Sequence, residues 1–422
     1  MDRKWFILVL VLFLCTSCKD DINKSFDNEK NVIDSIISND TSFDRKFLEY
    51  IYDEYGIDKL KRINDYFKNN SYSDKVWHEV TGNSLLVLED LYNKKYDNMN
   101  NVKILDNKEN TLLSFVGDIS LADNFDIMPY YDSRGKGVYG ILSTEVVDRM
   151  KSSDIMIANN EFAITNSNNR INKLYNFKAR PERLNIYEEM GIDLVSTANN
   201  HIYDYGEEGL LDSIKYLNEY DIPNVGAGEN KDAAEKAFYF IVGGYKISFL
   251  SATRAEKNVV TPNAEEDKPG TFWAYNPDRL VERIKEEKNI SDLVVILIHW
   301  GREDSHALED IQKDTGKLYI DAGADLVVGA HAHVLQGFEI YNNKLIAYNL
   351  GDFIFNRETK DTGILSVNID SDGNIDYYFI PCKQENYYTY MLDGEEKNNV
   401  INKINNYSIN TLIDEDGKIY QK

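Results

Sequence analysis

The sequence predicts an α/β fold preceded by a small helical region. Two textures carry that expectation. From about residue 110 onward, short apolar runs alternate with amphipathic helical segments, the pattern of βαβ units. Before that point, "FDRKFLEYIYDEY", "DKLKRINDYFKN" and "SLLVLEDLYNKKYD" space their apolar residues three and four apart, the helical period.

In chain order, the first element is a secretory signal. Arg3 and Lys4 precede the apolar stretch "WFILVLVLFL", and "CTSC" follows. The stretch is too short for a transmembrane helix. Cys18, after Thr16 and Ser17, looks like the lipidation site of a bacterial lipobox, although Cys15 stands where leucine is commoner. Residues 1–18 are therefore expected to be a lipoprotein signal peptide, with an uncleaved anchor as the alternative. Either way the chain is expected to be extracytoplasmic and membrane-anchored. With Cys18 lipidated, Cys382 is the remaining thiol, so no disulfide framework supports the fold. Residues 19–42, rich in Asp, Asn, Lys and Ser, read as a solvated tether. Residues 43–105 form the helical region, in which His78 is expected to be packed or at the surface. Residues 110–385 form the α/β domain, and 386–422 a polar C-terminal extension ending in a short strand at most.

Within the α/β domain the strand-like runs are "TLLSFVG", "DIMIAN", "IDLVST", "KISFLSA", "DLVVILI" and "ADLVVGA". After the third comes a helix in which Leu210, Leu211, Ile214 and Leu217 make one apolar stripe. Asp204 and Glu207 are spaced as its capping box. After the last run, "VLQGFEIYNNKLIAYNLGDFIF" alternates around Asn342-Asn343 as a hairpin.

The ends of these runs carry the chemistry. They supply Asp118, Glu161, Asn200 with His201, His299, and His331 with His333. In open α/β sheets the loops beyond the carboxyl ends of strands converge on a common crevice. The chain has six histidines, and four of them fall at these ends, more than packing would place there. Mixed imidazole and carboxylate donors suit Zn, Mn or Fe better than Ca or Mg. Asp118, Glu161, Asn200, His299, His331 and His333 suffice for two ions. Such a pair can polarise a phosphoryl oxygen, with His201 as the acid that protonates the leaving group. The net charge of −24, with no Lys/Arg run, argues against nucleic acid as a partner.

At these residues the chain resembles the capsule synthesis protein CapA family, relatives of poly-γ-glutamate biosynthesis proteins with a calcineurin-like metallophosphoesterase fold. The resemblance spans about 111–357 and rests on "FVGDISL", "NNEFAIT", "STANNHIYDYGEEGLLDSIKYL", "NVGAGEN", "HWGRE" and "GADLVVGAHAHVLQGFEIYNNKLIAYNLGDFIF". It implies a four-layer α/β/β/α sandwich with the metal site on its loop edge. It also implies Asp118, Glu161, Asn200, His299, His331 and His333 as ligands, His201 assisting the leaving group, and Asp204 and Gly206 capping the next helix. Glu303 matches a family acid that would orient His299, and Asp352 of "LGDF", where the family has "LGNF", would be an added acid or a loop cap. Ser120 replaces the histidine of the wider fold's first block, and Glu161 replaces an aspartate.

The function implied is a surface-anchored, metal-dependent hydrolase acting in capsule, poly-γ-glutamate or related anionic polymer synthesis. Its expected partners are that polymer or its precursor, the membrane through the lipid, and capsule-synthesis membrane proteins. The alternatives are a non-catalytic polymer-handling or export protein with a structural metal, and a secreted phosphatase or nucleotidase.

Overall fold

The computed structural model describes residues 30–422 except 41, 70–72, 107–108 and 257–259. The expected signal peptide, Cys18 and the start of the tether lie outside the described residues. Two compact units divide the chain, Met1–Met99 and Asn100–Lys422. Among the described residues no helix is long and apolar enough to cross a membrane.

The first unit is helical. Helices Arg45–Tyr55, Ile57–Lys68, Lys75–Thr81 and Leu85–Tyr92 follow one spanning 30–39. Their apolar stripes meet around Trp77, with Phe47, Leu48, Leu60 and Ile63 buried beside it. The tether expected through residue 42 is shorter than that. Val32, Ile33 and Ile36, with Ile37 partly buried beside them, are four apolar residues at helical spacing in an otherwise polar stretch and fold 30–39 onto this core. His78 is buried within its helix. The helical region also stops short of 105, because Val102–Ile104 is a strand paired in parallel with Phe238–Val242.

The second unit is built on two sheets. The seven-stranded sheet has the order Val102–Ile104, Phe238–Val242, Tyr245–Thr253, Leu293–His299, Leu326–Ala330, Lys344–Ala347, Phe338–Tyr341. The ten-stranded sheet has Ile375–Glu385, Lys360–Asp370, Asn110–Ile119, Ile155–Asn160 and Leu194–Ser196 along its middle. All six expected runs are strands. Phe115, Ile157 and Leu194 of one sheet share a core with Phe249, Leu297 and Val328 of the other. Each such fully buried side chain contributes roughly 1.5–3 kcal/mol.

Residues one step along the strands point the opposite way. Val116, Ala158 and Val195 are buried with Val147, Met150 and Tyr187 of the helices outside the ten-stranded sheet. Val294, Ile296 and Val327 are buried together with Leu280, Ile284, Tyr319 and Ile320 of helices Asp278–Lys288 and Asp310–Ala322 on the other side. Near-continuous apolar strands are what burial on both faces requires, and the result is the four-layer helix–sheet–sheet–helix sandwich.

The expected hairpin forms. Tyr341 pairs with Lys344 across Asn342 and Asn343, both at positive φ, as a two-residue turn of this hand needs. The C-terminal segment is a correction. Residues 386–422 hold more than a short final strand: three strands and a helix make them part of the sandwich. Tyr388–Met391 pairs with Ile375–Glu385, helix Gly394–Tyr407 buries Val400, Ile401 and Ile404, and Thr411–Ile413 and Lys418–Gln421 complete the sheet edge. An edge needs few apolar residues, so its sequence reads as polar.

Register positions the site. Thr253 is level with His299, and His299 with Ala330, in one sheet. Asp118 is level with Asn159, and Asn159 with Ser196, in the other. The carboxyl ends of three adjacent strands in each sheet therefore finish together.

Candidate metal centre

Glu161 lies at the middle of this edge. Its Oε1 is 3.6 Å from His299 Nε2 and 3.8 Å from His333 Nε2. His333 Nδ1 lies 2.7 Å from Asp352 Oδ1 and 3.5 Å from Asp118 Oδ2. The His331 N–H donates to Asp118 Oδ2 at 3.1 Å, tying one sheet to the other. His299 Nε2 and Asn200 Oδ1 are 2.8 Å apart. The structure thus brings together all six expected ligands.

Among the described residues, three overlapping groups of donor atoms within 4.8 Å of one another could hold a metal ion: Glu161, His299, His331; Glu303, His331, His333; and Asp118, His333, Asp352. The donor set fits a divalent cation on its own chemistry. Glu161 Oε1 and His331 Nδ1 are buried without a hydrogen-bond partner among the described residues, a state rare in folded proteins unless an ion or water completes it. Burial, aided by Asp118, pushes the Glu161 carboxyl well above its usual range, and burial raises Asp118 too. Three buried carboxylates, those of Asp118, Glu161 and Asp352, converge here. Burial holds His299 and His331 well below the usual imidazole range, so both rings stay neutral, the form in which imidazole ligates a metal. At His333 burial is outweighed by Asp352 and Glu161, and that ring is held well above its usual range. His331 and His333 also sit at φ 95 and 58. Such backbone costs of order 1–3 kcal/mol each, and it gathers at functional sites.

His201 stands at the side of the cluster. Its Nδ1 is 2.6 Å from Asp204 Oδ2, and its ring lies against Phe177, with centroids 4.2 Å apart. Phe177 meets Phe355, and Phe355 meets His333, so an aromatic wall joins the two histidines. Burial lowers the His201 pKa against the pull of Asp204. Asp204 is therefore not the expected helix cap. Helix Gly206–Glu219 has Tyr205 at its N-cap and no side-chain cap. The Asp204 carboxylate instead accepts from the Phe177 N–H at 2.7 Å and lies 3.4 Å from Lys173 Nζ.

Glu303 also departs from expectation. It is exposed and falls in with His331 and His333, while the His299 nitrogens face Asn159 at 3.3 Å and Asn200. Asp352 is buried and holds His333, with Lys360 Nζ 3.3 Å from its other oxygen. Reading the sequence missed Asn159, whose amide reaches Asp118, Glu161 and His299 at 2.8, 3.2 and 3.3 Å. It missed Asn199 too, whose Oδ1 receives the N–H groups of His201 and Ile202. The doubled asparagines of "ANNE" and "ANNH", each at the end of a strand and beside a residue of the site, were the available signal.

The family model described as "Bacterial capsule synthesis protein PGA_cap" matches residues 112–357. Over 267 residues the chain is 32% identical to "Capsule biosynthesis protein CapA" of Bacillus anthracis, covering 60% of this chain and 64% of that one. To "PGA biosynthesis protein CapA" of Bacillus subtilis (strain 168) it is 30% identical over 266 residues, covering 62% and 68%. The match thus spans about two thirds of these relatives' own length. A 5'-nucleotidase structure from Candida albicans aligns loosely, with TM-score 0.35 and 13% identity over 66% of this chain and 53% of that one.

Proposed function

The chain belongs to the family of bacterial capsule synthesis proteins, and from that membership and the donor cluster we propose a surface-anchored, metal-dependent hydrolase serving synthesis of an anionic envelope polymer such as poly-γ-glutamate. The observation that carries the reading is the Glu161 carboxylate, buried and without a hydrogen bond at Oε1 between His299 and His333. Asp118, Glu161, Asn200, His299, His331 and His333 would hold one or two ions of Mn, Fe or Zn. When bound, such ions would polarise a phosphoryl or carbonyl oxygen and make water acidic near neutral pH.

The chain's own residues supply the remainder. Asp204 keeps the proton of His201 on Nδ1, so Nε2 is the nitrogen that exchanges a proton with the leaving group. Asp352, itself beside Lys360, fixes the His333 ring. Phe177 and Phe355 exclude water from the space between His201 and His333. Anchoring rests on Arg3, Lys4, the apolar run and Cys18, which support an extracytoplasmic lipoprotein placed beside membrane partners in polymer synthesis.

The test is elemental analysis of residues 19–422 beside a His331→Ala, His333→Ala variant. About one to two equivalents of Mn, Fe or Zn, lost in the variant, support the reading and open a screen of phosphoester and γ-glutamyl substrates. No metal in either protein, even after reconstitution, sinks it and leaves a polymer-binding protein.

A further inference from the structure

Of the six aligned strands, five end in candidate ligands. The sixth, Tyr245–Thr253, ends in Arg254. Thr253 is level with His299, and the Arg254 N–H donates to the His299 carbonyl at 2.7 Å. The arginine therefore leaves the sheet at the same edge as the ligands. Its guanidinium lies over the Tyr275 ring, with Cζ 5.7 Å from the ring centre. The Tyr275 hydroxyl is in turn held by the Glu256 carbonyl at 2.6 Å. Arg254 Nε is buried and has no hydrogen-bond partner among the described residues.

A cleft of about 760 Å³ is lined by Arg254, Tyr275, Arg302, Glu303 and His331. One hollow thus touches both the arginine and the donor cluster. Two of the acids around it are committed elsewhere. Glu256 pairs with Lys173 at 2.8 Å, and Glu309 accepts from the first turn of helix Asp310–Ala322. The unpaired Nε–H is a standing cost, and the guanidinium that carries it lines the cleft, where an incoming anion would be its counter-charge. In a chain of net charge −24, an anionic substrate also needs a local cation to enter.

We propose that Arg254 is the specificity-determining residue of this cleft, its planar fork receiving an oxyanion pair of the substrate, carboxylate or phosphate, beside the donor cluster. The inference rests on the hydrolase reading for the substrate's presence there. Arginine suits the task because its two parallel N–H groups match such a pair, and because stacking on Tyr275 fixes the plane of the fork.

The test is calorimetric titration of the purified full chain in detergent with two probes, glutarate and phenyl phosphate, once with Mn²⁺ and once with chelator. One probe is expected to bind, and Arg254→Gln to weaken it about 10–100-fold, the worth of hydrogen bonds to a charged group. Arg254→Lys should recover part of the loss. Metal content and melting temperature should match the unsubstituted chain, which separates lost recognition from misfolding. Preference for glutarate assigns a carboxylate-bearing substrate, and preference for phenyl phosphate a phosphorylated one. Failure of both probes to bind the unsubstituted chain, or equal binding by Arg254→Gln, overturns the proposal. A chain without metal in every preparation defeats the hydrolase reading alone, and the titration in chelator then decides the role of Arg254.

Discussion

Replacing Glu161 by Gln should move stability in opposite directions with and without metal. In the metal-free protein Glu161 is wholly buried, and burial beside Asp118 pushes its pKa well up. A raised folded pKa means that the fold is favoured at low pH and loses ground as pH rises past the unfolded value. Holding a carboxyl of ordinary pKa protonated at pH 7 costs at most about 3–4 kcal/mol. Gln removes that cost but cannot be ionised. The second unit has about 320 residues, so at about 2.1 cal/mol/K per residue, 1 kcal/mol moves its melting temperature by roughly 1.5 °C. Glu161→Gln should therefore melt about 2–5 °C higher in chelator at pH 7, and the gain should vanish toward pH 4.5. An ion at a hundred times its Kd adds about 2.7 kcal/mol, or roughly 4 °C, to the unsubstituted chain. The variant should lose most of that increment. Scanning calorimetry with EDTA and with Mn²⁺ reads both effects. A variant that melts lower in EDTA and keeps the full Mn²⁺ increment refutes the argument that Glu161 is a stored cost awaiting a cation.

Three further outcomes follow from other parts of the fold. Asp204→Asn should leave metal content unchanged while lowering kcat about 10²–10⁴-fold on any substrate found, because His201 loses the carboxylate on Nδ1; loss of metal instead would assign Asp204 to the centre itself. Burial raises Asp193 to about 6 although it accepts from the Met156 N–H, so ionising it weakens the fold as pH climbs from about 4 through 6. Asp193→Asn should thus gain up to roughly 3 kcal/mol above pH 6 and nothing below pH 4, read as melting temperature against pH. Gly117→Ala would set a Cβ 1.9 Å from the Gly351 carbonyl oxygen that accepts from the Asp118 N–H. About 3 kcal/mol of destabilisation in urea, together with reduced metal content, is expected; an unchanged urea midpoint would show that the two segments can part freely.

The ligands were legible because each sits at or within a few residues of the end of an apolar run, a relation local in sequence. Their supports were not, because they come from elsewhere in the chain. Lys360 reaches Asp352 from the far side of a turn, and Asn159 joins Asp118 only through strand pairing. Asp204 misled for a physical reason: an acid three residues before a Glu has the spacing of a helix cap, and nothing local reveals that an imidazole competes for it. Residues 30–39 and 386–422 were read by composition, which hides four well-placed apolar residues in one case and a sheet edge in the other.

The donor set is divided evenly, with Asp118, Glu161 and Asn200 on one sheet and His299, His331 and His333 on the other. An occupant of that set is a rivet through the sandwich as well as a reagent, since parting the sheets and releasing the ion become one event. Deuterium uptake at the His331 amide, which already crosses the gap to Asp118, would then serve as a clock for the ion's departure.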